Sequence, residues 1–263
     1  MCPGCRATHE PICATKSALG GTSPIGERGS YLRRAASIRG PHEIGRTVVS
    51  YWTYVESQGT VDPLLAGRAL ARCHALMRDA DLRLAAPGGD PRLEALAIFA
   101  ELSDGGALDP ARGRRVARLA EEDLEATEAL DLRKQVIHGD AHLENVLMDS
   151  DGPLWNDWED AFVGVVEWDL ACLVATARVT GAGRARTELA LRGYGIDRLH
   201  GAVDVFVRLR AFQVATWLLA MAAGQGSLAE QAEPWLDYVE HRPNRPLRVP
   251  PRLWRRIRDV LRS

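Results

Sequence analysis

Residues Val136 to Leu170 read VIHGDAHLENVLMDSDGPLWNDWEDAFVGVVEWDL, and they decide how the chain is to be understood. Val136-Ile137 is a β-branched pair entering a polar loop, and Val146-Leu147-Met148 leaves it, so the loop from His138 to Asn145 joins two short strands. Ser150-Asp151-Gly152-Pro153 is a tight turn: Asp and Ser bond their own backbone, Gly takes positive φ and Pro fixes its own. Leu154-Trp155 is then a further strand, ending at Asn156-Asp157-Trp158-Glu159. Such a hairpin brings Asp140, Asn145 and Asp157 towards one end. Two carboxylates and an amide oxygen are hard donors, suited to Mg²⁺ carrying a phosphate and unsuited to zinc. Phosphoryl transfer asks for that set, with one carboxylate to receive the acceptor hydroxyl's proton and the others to hold the metal.

The same residues resemble a known family. His138-Gly139-Asp140 followed by Asn145 is similar to the HGDxxxxN catalytic loop of the aminoglycoside phosphotransferase family, small-molecule relatives of the protein kinases. Asp157-Trp158-Glu159 resembles that family's metal-binding D-[FW]-E, and Glu167-Trp168-Asp169-Leu170-Ala171 its E-W-D-L-A segment at the start of the next helix. The resemblance implies a protein-kinase-like α+β fold with a mostly helical C-terminal lobe. It implies ATP and Mg²⁺ as cofactors, Asp140 as catalytic base, and Asn145 and Asp157 as Mg²⁺ ligands. It further implies a hinge strand in which the backbone around Trp52, Tyr54, Val55 and Glu56 holds the adenine.

Other residues of the stretch have plainer readings. His138 reads as a packed residue bracing the loop, and His142 as facing the cleft or solvent. Glu159 is either a second metal ligand or an acceptor behind one. Asp169, between an aromatic residue and an apolar run, reads as a buried hydrogen-bond acceptor or a cap.

Composition narrows the function class. With 263 residues and 46% hydrophobic content the chain can fill a core. Its 33 basic residues nearly balance 35 acidic ones, which argues against a nucleic-acid binder. The longest apolar-rich run, Ala211 to Ala223, contains Gln213 and falls short of a membrane span. No basic region followed by an apolar stretch opens the chain as a secretory signal would, and an odd five cysteines fit a reduced, cytoplasmic protein.

The N-terminal part departs from the family. Cys2, Cys5, His9 and Cys13 have a knuckle-like spacing that invites zinc, yet nothing apolar nearby would pack around a metal, and residues 1–30 read as a Gly/Ser/Thr/Pro-rich disordered tail. Residues 31–46 read as a short helix or strand and a turn, and Thr47 to Glu56 as a strand, so 31–58 is the remnant of an N-terminal β lobe with its hinge. Residues 59–263 form the helical phosphotransferase lobe. The only lysines are Lys16 and Lys134; neither lies in a V-A-I-K-like strand, and Gly20 to Gly26 is no phosphate loop. The expected small lobe is therefore truncated or degenerate, through a misassigned start or true loss, which puts ATP positioning in question.

The expected reaction is transfer of the ATP γ-phosphate to the hydroxyl of a small molecule, as in aminoglycoside or choline kinases. The alternative is a catalytically impaired pseudokinase or shortened product acting as a binding protein.

Helices follow from caps and periodicity. Asp62-Pro63 opens one to about Asp79 with Leu65, Ala69, Cys73 and Leu76 on its apolar face; Pro91 opens another to about Leu102; Asp109-Pro110 opens a third to about Leu130 with Val116, Leu119, Leu124 and Leu130 inward. Further helices are expected near 168–180, 185–194, 202–223, 228–240 and 252–261, and the family resemblance implies that these wall the acceptor pocket. Acidic residues there (Asp160, Glu167, Glu233, Asp237, Glu240) could meet a cationic acceptor, though solvated faces are the plainer reading, as they are for the arginine-rich stretch from Arg242 to Arg258.

Overall fold

The computed structural model describes residues 42–44, 47–49, 55, 57, 59–78, 90–197, 199, 201–222 and 226–241. The expected tail through Ser30, the knuckle residues Cys2, Cys5, His9 and Cys13, Lys16, and the arginine-rich stretch with its helix at 252–261 lie outside them. So do Trp52, Tyr54 and Glu56 of the expected hinge; Val55 is half-buried in an irregular stretch. The described residues divide into two compact units, one within Met1–Gly88, Lys134–Asp169 and Ala185–Arg198, the other within Gly89–Arg133, Leu170–Arg184 and Leu199–Ser263.

Among the described residues the first unit carries all the strands. β1 (His42–Ile44) and β2 (Thr47–Val49) form an antiparallel pair with Glu43 opposite Val48. Helix α1 (Pro63–Met77) begins as expected, with Pro63 in its first turn and Asp62 Oδ1 accepting the N–H groups of Leu64 and Leu65 at 2.9 and 3.2 Å. Its buried stripe is the expected one only in part: Ala69 and Cys73 face inward as expected, joined by Ala66, Leu70 and His74, whereas Leu65 and Leu76 are exposed. Small residues are required there because another backbone passes close by: a Cβ on Gly67 would lie 1.9 Å from the Ala190 carbonyl oxygen.

Two antiparallel pairs follow. β3 (Lys134–Ile137) pairs with β6 (Phe162–Val165), Val136 opposite Val163. β4 (Val146–Asp149) pairs with β5 (Gly152–Trp155) across Ser150-Asp151, Val146 opposite Trp155. The hairpin stands where the sequence expects it, but Gly152 and Pro153, expected in the turn, already belong to β5, opposite Asp149 and Met148. The buried Trp155 indole donates to the Ala66 carbonyl at 3.0 Å, and Gln135 Nε2 to the His74 carbonyl at 2.8 Å, so β5 and β3 are both tied to α1. The first turn of α4 (Val166–Val179) and helix α5 (Arg184–Tyr194) belong here too.

The second unit is helical: α2 (Pro91–Asp104), α3 (Pro110–Glu128), the rest of α4, α6 (Gly201–Met221) and α7 (Gly226–Glu240). Phe99, Val116, Phe212, Leu219, Trp235, Leu236 and Val239 fill its core, with the Phe99 and Phe212 rings 4.9 Å apart. On α3 the stripe again turns from the expected one. Val116 is buried, but Leu119, Leu124 and Leu130 are only half-buried, and Gly113, Ala120, Asp123 and Thr127 face inward. A carboxylate can lie on that face because Arg208 of α6 meets Asp123 with two bonds, at 2.9 and 2.7 Å. Among the described residues no helix is long and apolar enough to cross a membrane.

Candidate functional site

The loop after β3 is fixed by its backbone before any side chain acts. Gly139 has φ +88°, and a Cβ there would lie 1.9 Å from the Asp160 carbonyl oxygen, so both conformation and space demand glycine. The N–H groups of His138 and Gly139 donate to the two oxygens of Asp169, each at 2.8 Å, and the Trp168 indole donates to the Gly139 carbonyl at 2.7 Å. Asp169 is fully buried and serves as the acceptor expected of it.

His138 braces the loop from within. It is fully buried against Trp155 and Trp158. Asp140 donates its backbone N–H to His138 Nδ1 at 3.3 Å, so the ring proton sits on Nε2, which donates to the Asn156 carbonyl at 2.7 Å. Burial lowers its pKa, the opposing pull of Asp169 being smaller, and the ring is a neutral strut, not a proton carrier.

Asp140 follows, half-buried, at the mouth of this clamp. Asn145 closes the turn onto it: its Nδ2 donates to the Asp140 carbonyl at 2.9 Å and reaches the Asp140 carboxylate at 3.3 Å. The amide oxygen of Asn145 is thereby turned away from that carboxylate. Asn145 accepts the N–H of Asn156 at 2.8 Å, which ties the loop to the end of β5 immediately before Asp157. Asp157 is exposed and left-handed, φ 62° and ψ 55°, a backbone position costly for a residue with a side chain and frequent at functional sites. Burial, and after it the charges of Asp157 and Asp140, push the Glu159 carboxyl up.

The structure thus brings Asp140 and Asn145 into direct contact and links Asn145 to the residue before Asp157. Two features escaped the sequence. One is that His142, expected only to face the cleft or solvent, meets two acids: its Nε2 lies 3.2 Å from the Asp140 carboxylate and its Nδ1 3.1 Å from Glu144. A histidine two residues from each of two acids was the available signal. The other is His74 of α1, whose Nε2 lies 2.8 Å from Asp169 and whose Nδ1 is 2.7 Å from the Tyr194 hydroxyl. Nothing local marks that contact except a histidine on a buried helical stripe.

Solved structures share this architecture. A choline/ethanolamine kinase family protein from Mesorhizobium loti superposes with a TM-score of 0.62 at 16% identity, covering 98% of this chain and 83% of the other. Amicoumacin kinase hAmiN, solved with AMP-PNP, Ca²⁺ and Ami, gives 0.68 at 12% identity, covering 92% and 79%. The phosphotransferase APH(2")-IIIa, solved with GDP and kanamycin, gives 0.62 at 13% identity, covering 92% and 84%. At such identities the likeness shows the fold, the kinase-like α+β architecture. No curated protein sequence matches the chain. The model of the APH family, described as the phosphotransferase enzyme family, matches residues 62–212, which is more than half of the chain and holds every motif from Asp140 to Asp169, so the chain belongs to that family.

Proposed function

We propose that the protein transfers the γ-phosphoryl group of ATP to a hydroxyl of a small molecule. The observation that carries the reading is the closed turn in which Asn145 grips both the carbonyl and the carboxylate of Asp140. That grip orients a carboxylate at the rim of a buried clamp, as a base for an incoming hydroxyl needs. Asp140 would take the hydroxyl proton as the oxygen attacks phosphorus.

Asn145 and Asp157 suit Mg²⁺. Among the described residues no three His, Cys, Asp or Glu side chains converge as a self-standing metal site would require. An amide oxygen and one carboxylate instead leave most positions to water and phosphate oxygens, the usual way Mg²⁺ is held with a nucleotide. Bound Mg²⁺ would neutralise charge on the phosphate oxygens during transfer. The kanamycin seen with one neighbour and the choline/ethanolamine name of another suggest amine-bearing alcohols as first acceptors to try.

The test is turnover and melting together. Asp140→Asn should lower kcat by about 10²–10⁴-fold while keeping the rise in melting temperature given by ATP with Mg²⁺. At about 100 times the Kd that rise is worth ~2.7 kcal/mol. Asp157→Ala should lose both turnover and rise. No rise for the unaltered protein at millimolar ATP or GTP with Mg²⁺ would instead favour a binding protein without transferase activity.

A further inference from the structure

We propose that Arg210, Gln213 and Trp217 of α6 form a binding site for a flat, ring-bearing carboxylate. The site lies within the second unit, and neither its geometry nor its test depends on the phosphotransferase reading.

Gln213 stands in the longest apolar-rich run of the sequence, Ala211 to Ala223, together with Thr216. Both are buried, but only one is satisfied in full. The Thr216 hydroxyl donates to the Phe212 carbonyl one turn back, at 2.8 Å. The Gln213 side chain is 5% exposed, and its Oε1 accepts Arg210 Nη1 at 2.6 Å. That bond fixes the amide, with Nε2 on the side away from the arginine, and no described residue accepts from Nε2. Two N–H donors unmet in an interior carry the full cost of their desolvation, so a native fold keeps such a group where something accepts from it.

The helix itself shows what stands around those donors. Residues three and four apart share a face, so Arg210, Gln213, Trp217 and Met221 make one stripe along α6. Gln213 is its buried floor; Trp217 and Met221, 45% and 54% exposed, are its rim. A water would meet the amide and leave the indole and the thioether uncovered. A ligand that does both carries an oxygen acceptor for Nε2 on a flat apolar body that stacks on the indole. The guanidinium of Arg210, permanently charged and bonded to the same amide, favours an anionic oxygen over a carbonyl and repels an amine. A carboxylate on a planar ring is the simplest group that meets all three conditions. Phe212, Ala215 and Leu219 fasten α6 to the core, so the stripe is presented on a rigid element.

The experiment titrates benzoate, to tens of millimolar at constant pH and ionic strength, into the full chain, with cyclohexanecarboxylate and benzylamine as controls. The readouts are two NMR signals: the side-chain amide of Gln213, identified by its loss in Gln213→Leu, and the indole N–H of Trp217, identified by its loss in Trp217→Ala. We expect benzoate to shift both saturably and benzylamine to move neither. Cyclohexanecarboxylate, which keeps the charge but not the flat ring, should bind about fivefold more weakly, and Trp217→Ala should weaken benzoate by about the same factor. Gln213→Leu, read at the Trp217 indole, should weaken benzoate about tenfold or more, the loss of a hydrogen bond to a charged group. Gln213→Glu, which keeps the acceptor of Arg210 and replaces the donors by a like charge, should abolish binding. The site is overturned by the absence of a saturable shift, by equal affinity for benzoate and cyclohexanecarboxylate, or by benzoate binding that survives unchanged in Gln213→Leu and Trp217→Ala; Gln213 would then hold water only. Should the Gln213 variants fail to fold, Trp217→Ala, at an exposed position, decides between the same outcomes.

Discussion

Among the described residues two aspartates, Asp123 and Asp169, are buried, and they do different work. Asp123, on α3, meets one partner side chain with both oxygens: the guanidinium of Arg208 on α6, whose planar fork matches the carboxylate. That pair joins two helices. Asp169, at the start of α4, divides its oxygens among two backbone N–H groups and a histidine. Backbone N–H groups are what a carboxylate binds when a loop, not another side chain, has to be held. What the contrast teaches is that burial alone says little about a charged residue, whereas the identity of its donors says whether it serves packing or the site.

The largest effect is expected where that contrast is tested directly. Asp169→Ala and Asp123→Ala should each lower stability by about 3–5 kcal/mol, since each leaves buried donors without their acceptor. Turnover per folded molecule, measured well below the melting transition, should fall only for Asp169→Ala. Equal losses of kcat in both variants would break the comparison. The paired change Asp123→Leu with Arg208→Met should sharpen it, because replacing a whole buried ion pair by apolar side chains of similar volume is often neutral or stabilising.

Glu167, two residues before Asp169, gives a second and smaller contrast. It too is buried, but among the described residues only its own backbone N–H meets the carboxyl, and burial pushes its pKa up to about 7 from 4.5. The folded protein thus holds this proton more tightly than the unfolded chain. Its share of stability is fully present below about pH 4.5, is lost as pH rises towards 7, and changes little above that. Glu167→Gln should therefore become progressively more stable than the unaltered protein between those limits, by a plateau on the order of 3 kcal/mol. Urea melts at pH 5, 6 and 8 would check this, and a difference independent of pH would refute it.

These residues also show where the sequence was legible. The loop from His138 to Asn145, the existence of the hairpin after it and the helix starts at Asp62-Pro63, Pro91 and Asp109-Pro110 were readable because each is written within a few consecutive residues, where spacing maps directly onto geometry. The inward stripes of α1 and α3 were not. Leu65 and Leu76 look like core residues by periodicity but are exposed, while Gly67 faces the backbone of Ala190, a neighbour that lies far along the chain. His74 meets Asp169 across 95 positions and Tyr194 across 120, and Asp123 meets Arg208 across 85. No local spacing encodes such pairs. The left-handed backbone of Asp157 was equally hidden, because aspartate gives no compositional sign of it.

The smallest effects are expected at exposed carboxylates, which complete the series from buried to solvated. Asp62 and Asp109 cap α1 and α3 by accepting two N–H groups apiece, and Ala at either should cost about 1 kcal/mol. Ser at either should restore most of it, because a hydroxyl can accept the same bonds. Asp90 caps α2 through the Arg92 N–H at 3.0 Å but also engages the Arg92 guanidinium, whose Nε lies 2.8 Å from Oδ1. That guanidinium is largely buried and, once the aspartate is gone, is left with Thr127 at 3.0 Å and the more distant Glu128. Asp90→Ser should thus preserve the cap and still cost about 1–3 kcal/mol, the worth of a hydrogen bond to a charged group. If thermal melts found Ser equally benign at all three positions, Asp90 would be a cap like the others, and the number of donors around a carboxylate would not be what sets its weight in this fold.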